Sequence, residues 1–66
     1  MNLGKSIKMA LAKREMSQKD LAERMGWSVV WTNTLANKKS ARSETIESLA
    51  AAFNMKTSEF VALGEE

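Results

Sequence analysis

The stretch that decides the fold is SQKDLAERMGWS, residues 17–28. Ser17 is a candidate helix cap, because its hydroxyl can accept a hydrogen bond from a backbone N–H group at a helix amino terminus. The apolar residues that follow are spaced to lie on one helix face: Leu21, Ala22 and Met25. Gly26 interrupts this pattern, and glycine readily adopts the left-handed conformation that ends a helix. The stretch therefore predicts a helix followed by a sharp turn.

A second helix is predicted directly after this turn. Trp27 is expected to lie in the core, and Ser28 is a candidate cap for a helix from Val29 to about Ala36. Four side chains are expected to fix the angle between the two helices: Leu21, Met25, Thr32 and Leu35. The small Ala22 would let the helices cross closely. Two helices joined by a glycine-containing turn, with the second free to enter a DNA groove, form the helix-turn-helix unit.

Helical patterns also flank this unit on both sides. The first helix is predicted from about Leu3 to Glu15, with Asn2 as its cap. The fourth is predicted to follow a cap at Ser43 and to end near Asn54. The fifth helix is predicted to be short, with its cap at Thr57 and its end at Gly64. The chain of 66 residues is therefore expected to form one all-α domain, spanning residues 1–66.

The composition restricts the chemistry that the chain can perform. It contains no cysteine, histidine, tyrosine or proline. Disulfides, the usual Cys/His zinc sites and the usual nucleophile–base pairs therefore find no support. We expect no enzyme activity, no cofactor and no metal, and a small helical chain leaves little room for a small-molecule pocket. No secretory signal or membrane-spanning run is visible, so the expected location is the cytoplasm, with no membrane partner.

The charges are distributed unevenly along the chain. Residues 1–42 carry nine basic and three acidic side chains, whereas residues 43–66 carry one basic and five acidic ones. The net charges of the two parts are +6 and −4. The basic part is suited to face a polyanion, but such charges also simply solvate helices. The charge pattern alone supports these two interpretations equally.

These segments together resemble the Cro/C1-type helix-turn-helix family, which includes lambdoid phage Cro proteins and phage repressor amino-terminal domains. The resemblance covers nearly the whole chain and rests on these positions: residues 3–8, Ser17-Gln18, Leu21-Ala22, Gly26, Ser28, residues 44–53 and residues 57–60. It implies a compact five-helix, lambda-repressor-like fold and a sequence-specific DNA-binding regulator encoded by a bacterium or a phage. Thr32 departs from the family pattern, which usually has a branched aliphatic residue there.

A helical wheel of 100° per residue divides the third helix into two faces. The side predicted to face the other helices carries Ser28, Trp31, Thr32 and Leu35, with Trp31 as a semi-buried packing residue or, less favoured, a sugar-phosphate contact. The candidates for reading bases are Ser28, Val29, Val30, Asn33 and Thr34. Asn33 can pair bidentately with adenine and the valines can contact thymine methyl groups, so we expect an A/T-containing half-site. A hydrophobic dimer patch is the minor alternative for the valines.

Six residues are candidates for phosphate contacts: Ser17, Gln18, Asn37, Lys38, Lys39 and Arg42. The first two lie at a helix amino terminus, which attracts anions. The family resemblance implies that the glutamine contacts phosphate and braces the reading helix. The other four lie in the polar, basic loop of residues 37–42, for which a solvated loop is the alternative. Lys13 and Arg14 are weaker candidates.

The expected partner is a palindromic operator in double-stranded DNA, bound by a homodimer. Two copies of the chain would then read half-sites about 34–36 Å apart. Val61 is the favoured dimer contact, because Phe60 is expected to close the core of the monomer. The alternative function is a protein-interaction module or an antitoxin with the same fold, which the uncharged third helix favours.

Overall fold

A computed structural model describes residues 2–65, and the regular elements in this range are five α-helices. They are α1 Leu3–Lys13, α2 Gln18–Met25, α3 Val29–Leu35, α4 Ser43–Ala52 and α5 Thr57–Leu63. The prediction of an all-α, five-helix fold is confirmed. None of the helices within residues 2–65 combines the length and the apolar character that crossing a membrane requires.

Three polar side chains begin helices as predicted. Asn2, Ser17 and Ser28 each accept a hydrogen bond from the backbone N–H group three residues ahead, at 3.0 to 3.1 Å. Each bond satisfies one of the N–H groups that have no partner within the helix. The starts of α1, α2 and α3 are therefore determined by local sequence.

The caps predicted for α4 and α5 are wrong by one position. Ser43 and Thr57 are the first helical residues, and the caps are Arg42 and Lys56. In α5 the carboxylate of Glu59 accepts a hydrogen bond from the backbone N–H group of Lys56 at 3.3 Å. The negative charge of an acidic residue in the first turn also stabilises the helix, because it complements the positive end of the helix dipole. These helices therefore begin without a hydroxyl cap.

The turns after α1, α2 and α4 each contain a residue with positive φ. Gly26 has φ of 71°, which confirms the predicted left-handed turn after α2. Asn54 has φ of 56° in the turn after α4, which ends two residues earlier at Ala52. Glu15 has φ of 54°, so α1 ends at Lys13 rather than at the predicted Glu15, because an α-helix requires negative φ.

Two other glycines are required by close approaches between distant segments. Gly64 follows α5 as predicted, but its φ of −81° is not left-handed. A Cβ at this position would overlap the hydroxyl of Ser6 and lie 2.5 Å from the carbonyl oxygen of Asn2. A Cβ on Gly4 would overlap the carbonyl oxygen of Ala36. The start of α1 therefore fits against the ends of both α3 and α5.

One hydrophobic cluster contains side chains from all five helices. Its largest members are at most 1% exposed: Leu3, Ile7, Leu21, Leu49, Phe53 and Phe60. The rings of Phe53 and Phe60 stack with their centroids 5.8 Å apart, which joins α4 to α5. The prediction that Phe60 closes the monomer core is confirmed. The prediction of Trp27 as a core residue is corrected, because its side chain is half-buried and packs against the edge of the cluster.

Two arginines join the end of α4 to the helices that precede it. Arg14 Nε donates a hydrogen bond to the carbonyl oxygen of Phe53 at 2.8 Å, and Arg24 donates to that of Ala52 at 2.7 Å. The last carbonyl groups of a helix have no intrahelical partner, and a cation there complements the negative end of the helix dipole. The guanidinium of Arg14, a weaker candidate for a phosphate contact, is engaged by α4.

Candidate nucleic-acid interface

The turn of residues 26–28 sets α3 across α2. The N–H group of Trp27 donates to the carbonyl oxygen of Ala22 at 2.8 Å, and that of Gly26 donates to Glu23 at 3.3 Å. These bonds satisfy carbonyl groups at the end of α2, and Ser28 then begins α3. Because α2 and α3 also pack on each other, the two helices and their turn form a helix-turn-helix unit.

The inward face of α3 is anchored by two buried side chains. Thr32 is 0% exposed and Leu35 is 2% exposed, as the helical wheel predicted. The Thr32 hydroxyl donates a hydrogen bond to the carbonyl oxygen of Ser28 at 3.0 Å. A threonine is therefore accommodated at this buried position, because its polar group is satisfied within the helix.

The outward face of α3 is uncharged and open to solvent. Val29 is 52% exposed and Val30 is 77% exposed, and Asn33 and Thr34 are exposed beside them. The Thr34 hydroxyl donates to the carbonyl oxygen of Val30 at 2.9 Å, which leaves its oxygen free to accept. The exposed Ser28 hydroxyl acts as the helix cap. The structure therefore brings all five base-reading candidates together at the surface of α3.

Trp31 is not the packing residue that the helical wheel predicted. It is 42% exposed, and the ammonium group of Lys38 lies 5.1 Å from its ring centroid, within the range of a cation–π contact. The side of α3 that carries Trp31 faces the loop after α3 across a hollow of about 380 Å³, which Ala41 and Arg42 also line. The wheel failed because this side borders mainly the loop after α3, which leaves the ring partly open to solvent.

Hydrogen bonds hold the backbone of the basic loop after α3 in place, whereas its basic side chains are exposed. The N–H groups of Leu3 and Gly4 donate to the carbonyl oxygens of Lys39 and Lys38, at 2.9 and 2.7 Å. These bonds fix the loop against the start of α1. The side chains of Lys38, Lys39 and Arg42 are all exposed. Three of the predicted phosphate contacts therefore project from a fixed segment beside α3.

Asn37 connects this loop to the outward face of α3. Its side-chain amide donates to the carbonyl oxygen of Asn33 at 2.8 Å and lies 3.5 Å from the Asn33 side-chain oxygen. The bond pairs one of the carbonyl groups left free at the end of the helix. A predicted phosphate contact and a predicted base contact thus lie side by side.

The start of α2 offers backbone N–H groups next to a carboxylate. Ser17 and Asp20 form a reciprocal capping box, in which the Ser17 N–H group donates to the Asp20 carboxylate at 3.0 Å. Hydrogen bonds from the Ser17 backbone and then its side chain lower the pKa of the Asp20 carboxyl below its usual value. The N–H groups of Gln18 and Lys19, in the first turn of α2, have no acceptor within the helix.

Two lysines that were not among the predicted phosphate contacts lie beside Asn37 and Lys39. Lys5 and Lys8 line a hollow of about 330 Å³ together with Asn37 and Lys39. The sequence did indicate a basic face on α1, because its first turn contains no acidic residue and these two lysines lie one turn apart. Their proximity to the loop after α3 depends on the tertiary fold.

Comparison with known families identifies the domain. The family model described as Cro/C1-type HTH DNA-binding domain matches residues 6–65, which include α2 to α5 in full. Neither the curated proteins nor the solved structures yield a match to this chain. The family match agrees with the helix order, the Gly26 turn and the exposed outward face of α3. The chain therefore belongs to the Cro/C1-type helix-turn-helix DNA-binding domain family.

Proposed function

We propose that this DNA-binding domain is a sequence-specific transcriptional regulator that places α3 in the major groove of double-stranded DNA. The outward face of α3 carries the proposal, because Val29 and Val30 are 52% and 77% exposed while the opposite face is anchored in the core. The major groove, about 12 Å wide, admits one α-helix. A rigid helix with such a face is suited to contact base edges.

The proposed reading chemistry uses amide, hydroxyl and methyl groups. Asn33 would bind adenine through its N6 and N7 atoms, and Val29 and Val30 would contact thymine methyl groups. Ser28 and Thr34 would add hydroxyl contacts at the borders of this face. The absence of charge on the outward face of α3 favours A/T base pairs over guanine, which arginine or lysine commonly recognises.

Phosphate contacts would supply most of the sequence-independent affinity. Lys38, Lys39 and Arg42 are exposed on the loop that hydrogen bonds fix against α1. Ser17, Gln18 and Asn37 complete the proposed set, from the start of α2 and the end of α3. Contacts on both sides of α3 would fix its depth and its orientation in the groove.

We propose that residues 1–66 act as one domain that pairs with a second copy on a palindromic operator. One reading helix covers too few base pairs to select a site in a genome, whereas two helices related by a twofold axis double the site. Val61 is the proposed dimer contact, because it is only half-buried while Phe60 is fully buried in the core. Such a regulator would act in the cytoplasm of a bacterium, encoded by the bacterium or a phage.

A protein-interaction module or an antitoxin is the second candidate function. It is favoured by the uncharged outward face of α3, on which Val29 and Val30 are exposed. Such a face could pack on a protein partner instead of a groove. Binding that falls steeply with added salt supports DNA as the ligand. Salt-insensitive binding to a protein supports the second candidate.

The decisive experiment selects binding sites from random duplex DNA. The expected result is an A/T-containing palindrome, bound more weakly as salt is added. Val30→Glu should abolish this binding without unfolding the domain, because it places a carboxylate in the groove at an exposed position. Ser48→Glu, on the exposed surface of α4, adds the same charge and should bind like the wild type. No enriched sequence, or equal binding by both variants, would refute the proposal.

A further inference from the structure

A basic hollow of about 330 Å³ lies between the start of α1 and the end of α3. We name it the lysine hollow and define it by Asn2, Gly4, Lys5, Lys8, Asn37 and Lys39. Among residues 2–65, its lining includes these three lysines and no carboxylate, and all three lysines are exposed. Like charges gathered in one hollow repel each other, and an anion bound between them would relieve that repulsion.

The position of the lysine hollow beside α3 is fixed by backbone contacts. The N–H groups of Leu3 and Gly4 donate to the carbonyl oxygens of the loop at Lys39 and Lys38, and that of Lys5 donates to Asn2 at 3.1 Å. The first-turn N–H groups of α1 are therefore already bonded. Attraction for an anion would come from the lysine ammonium groups, rather than from a free helix terminus.

Lys5 occupies a position that favours an acidic residue. It is the third residue of α1, and the third residues of α2 and α5 are Asp20 and Glu59, each bonded to a cap N–H group. A cation at a helix amino terminus opposes the helix dipole. Lys8, one turn later, adds like-charge repulsion along the same face of α1. A residue type that is unfavourable for its local helix position is expected where the residue serves a function.

We infer that the lysine hollow binds a backbone phosphate of the same duplex that α3 reads, beside the carboxyl end of α3. Asn37 supports this placement, because it lines the hollow and donates a hydrogen bond to Asn33 on the outward face. The inference rests on the proposed function and extends the DNA contact from α3 and its loop to α1. Phosphate contacts by Lys5 and Lys8 would add affinity on every sequence.

The test compares two variants that lower the net charge equally. Lys5→Gln/Lys8→Gln removes two charges from the hollow, and Ser48→Glu/Lys56→Gln changes the charge by the same amount at exposed positions elsewhere. Binding to the selected palindrome and to random duplex is measured over a range of salt. The hollow variant should flatten the log–log salt dependence by about 0.9 per bound chain, since neutralisation of one phosphate accounts for about that much. The control should keep the wild-type slope.

The possible outcomes separate this inference from the proposed function. A wild-type slope for the hollow variant, with specific binding intact, would overturn the inference alone. Equal flattening by both variants would attribute the change to net charge and would also overturn it. A wild-type protein that binds no duplex would refute the proposed function together with the inference. Ethylation of the phosphate beside the end of α3 should weaken binding of the wild type more than that of the hollow variant, which keeps only Lys39 and Asn37 as contacts there.

Discussion

The guanidinium of Arg24 donates a hydrogen bond to the carbonyl oxygen of Ala52 at 2.7 Å, across 28 positions of sequence. This interaction joins the end of α2 to the end of α4. Since α2 supports α3 through the Gly26 turn, the bond helps to hold α3, the proposed reading helix, in its position. The stability of the domain and the proposed DNA contact of α3 are therefore linked through a residue that does not belong to the proposed contacts.

Arg24→Ala should lower the free energy of unfolding by about 1–2 kcal/mol, because it removes a charge-assisted hydrogen bond from a partly buried carbonyl group. Urea denaturation measures the change. Lys19→Ala, at an exposed position on the same helix, is the control and should change the stability by less than about 0.5 kcal/mol. Equal effects of the two substitutions would show that the bond contributes nothing.

Gly26→Val should destabilise the domain by more than about 1 kcal/mol. The cause would be backbone strain alone, because a Cβ at Gly26 meets no atom within 4 Å while φ is 71°. A branched side chain resists positive φ, and asparagine tolerates it better. Gly26→Asn is the matched variant and should melt between the wild type and Gly26→Val. If both variants melt at the wild-type temperature, the turn has another conformation.

Asn33→Ala should weaken binding to the selected palindrome by about 1–3 kcal/mol per half-site, because it removes a bidentate pair of hydrogen bonds to adenine. Binding to random duplex should change little. The two affinities are measured at the same salt concentration, with Ser48→Ala as the exposed control. An equal reduction on both kinds of DNA would mean that Asn33 does not read sequence.

Neutralising Lys38, Lys39 or Arg42 should weaken binding to the palindrome and to random duplex alike. Removal of one lysine–phosphate or arginine–phosphate interaction should flatten the log–log salt dependence by about 0.9. Lys56→Gln, an exposed lysine at the start of α5, removes the same charge and should leave the slope unchanged. Wild-type slopes for all three variants would place the phosphate contacts on other residues.

Titration of the palindrome should show cooperative binding, with two chains per duplex as the main species. Val61→Ser should reduce this cooperativity and keep the affinity for a single half-site, because Val61 is half-buried and distant in sequence from α3. Gel-shift titrations of whole and half sites measure both quantities. Independent filling of the two half-sites by the wild type would contradict the dimer.

Interactions within one turn of helix could be predicted from the sequence. The caps at Asn2, Ser17 and Ser28 involve a side chain and a backbone group three residues apart. The left-handed Gly26 and the buried face of α3 at Thr32 follow from residue type and from the helical period in the same way. The caps and the Gly26 turn need no knowledge of the rest of the fold, because all their interacting atoms belong to one short segment, whereas the inward face of α3 follows from the helical period alone.

The sequence by itself therefore determined the five helices, the turn between α2 and α3 and the outward face of α3. Only the tertiary structure decided which distant groups meet. It placed Arg24 on Ala52, Lys38 over the exposed ring of Trp31, and Lys5 and Lys8 beside the end of α3. The physical reason is that a residue type specifies what a side chain can bond, whereas its partner is set by the packing of whole helices around one core.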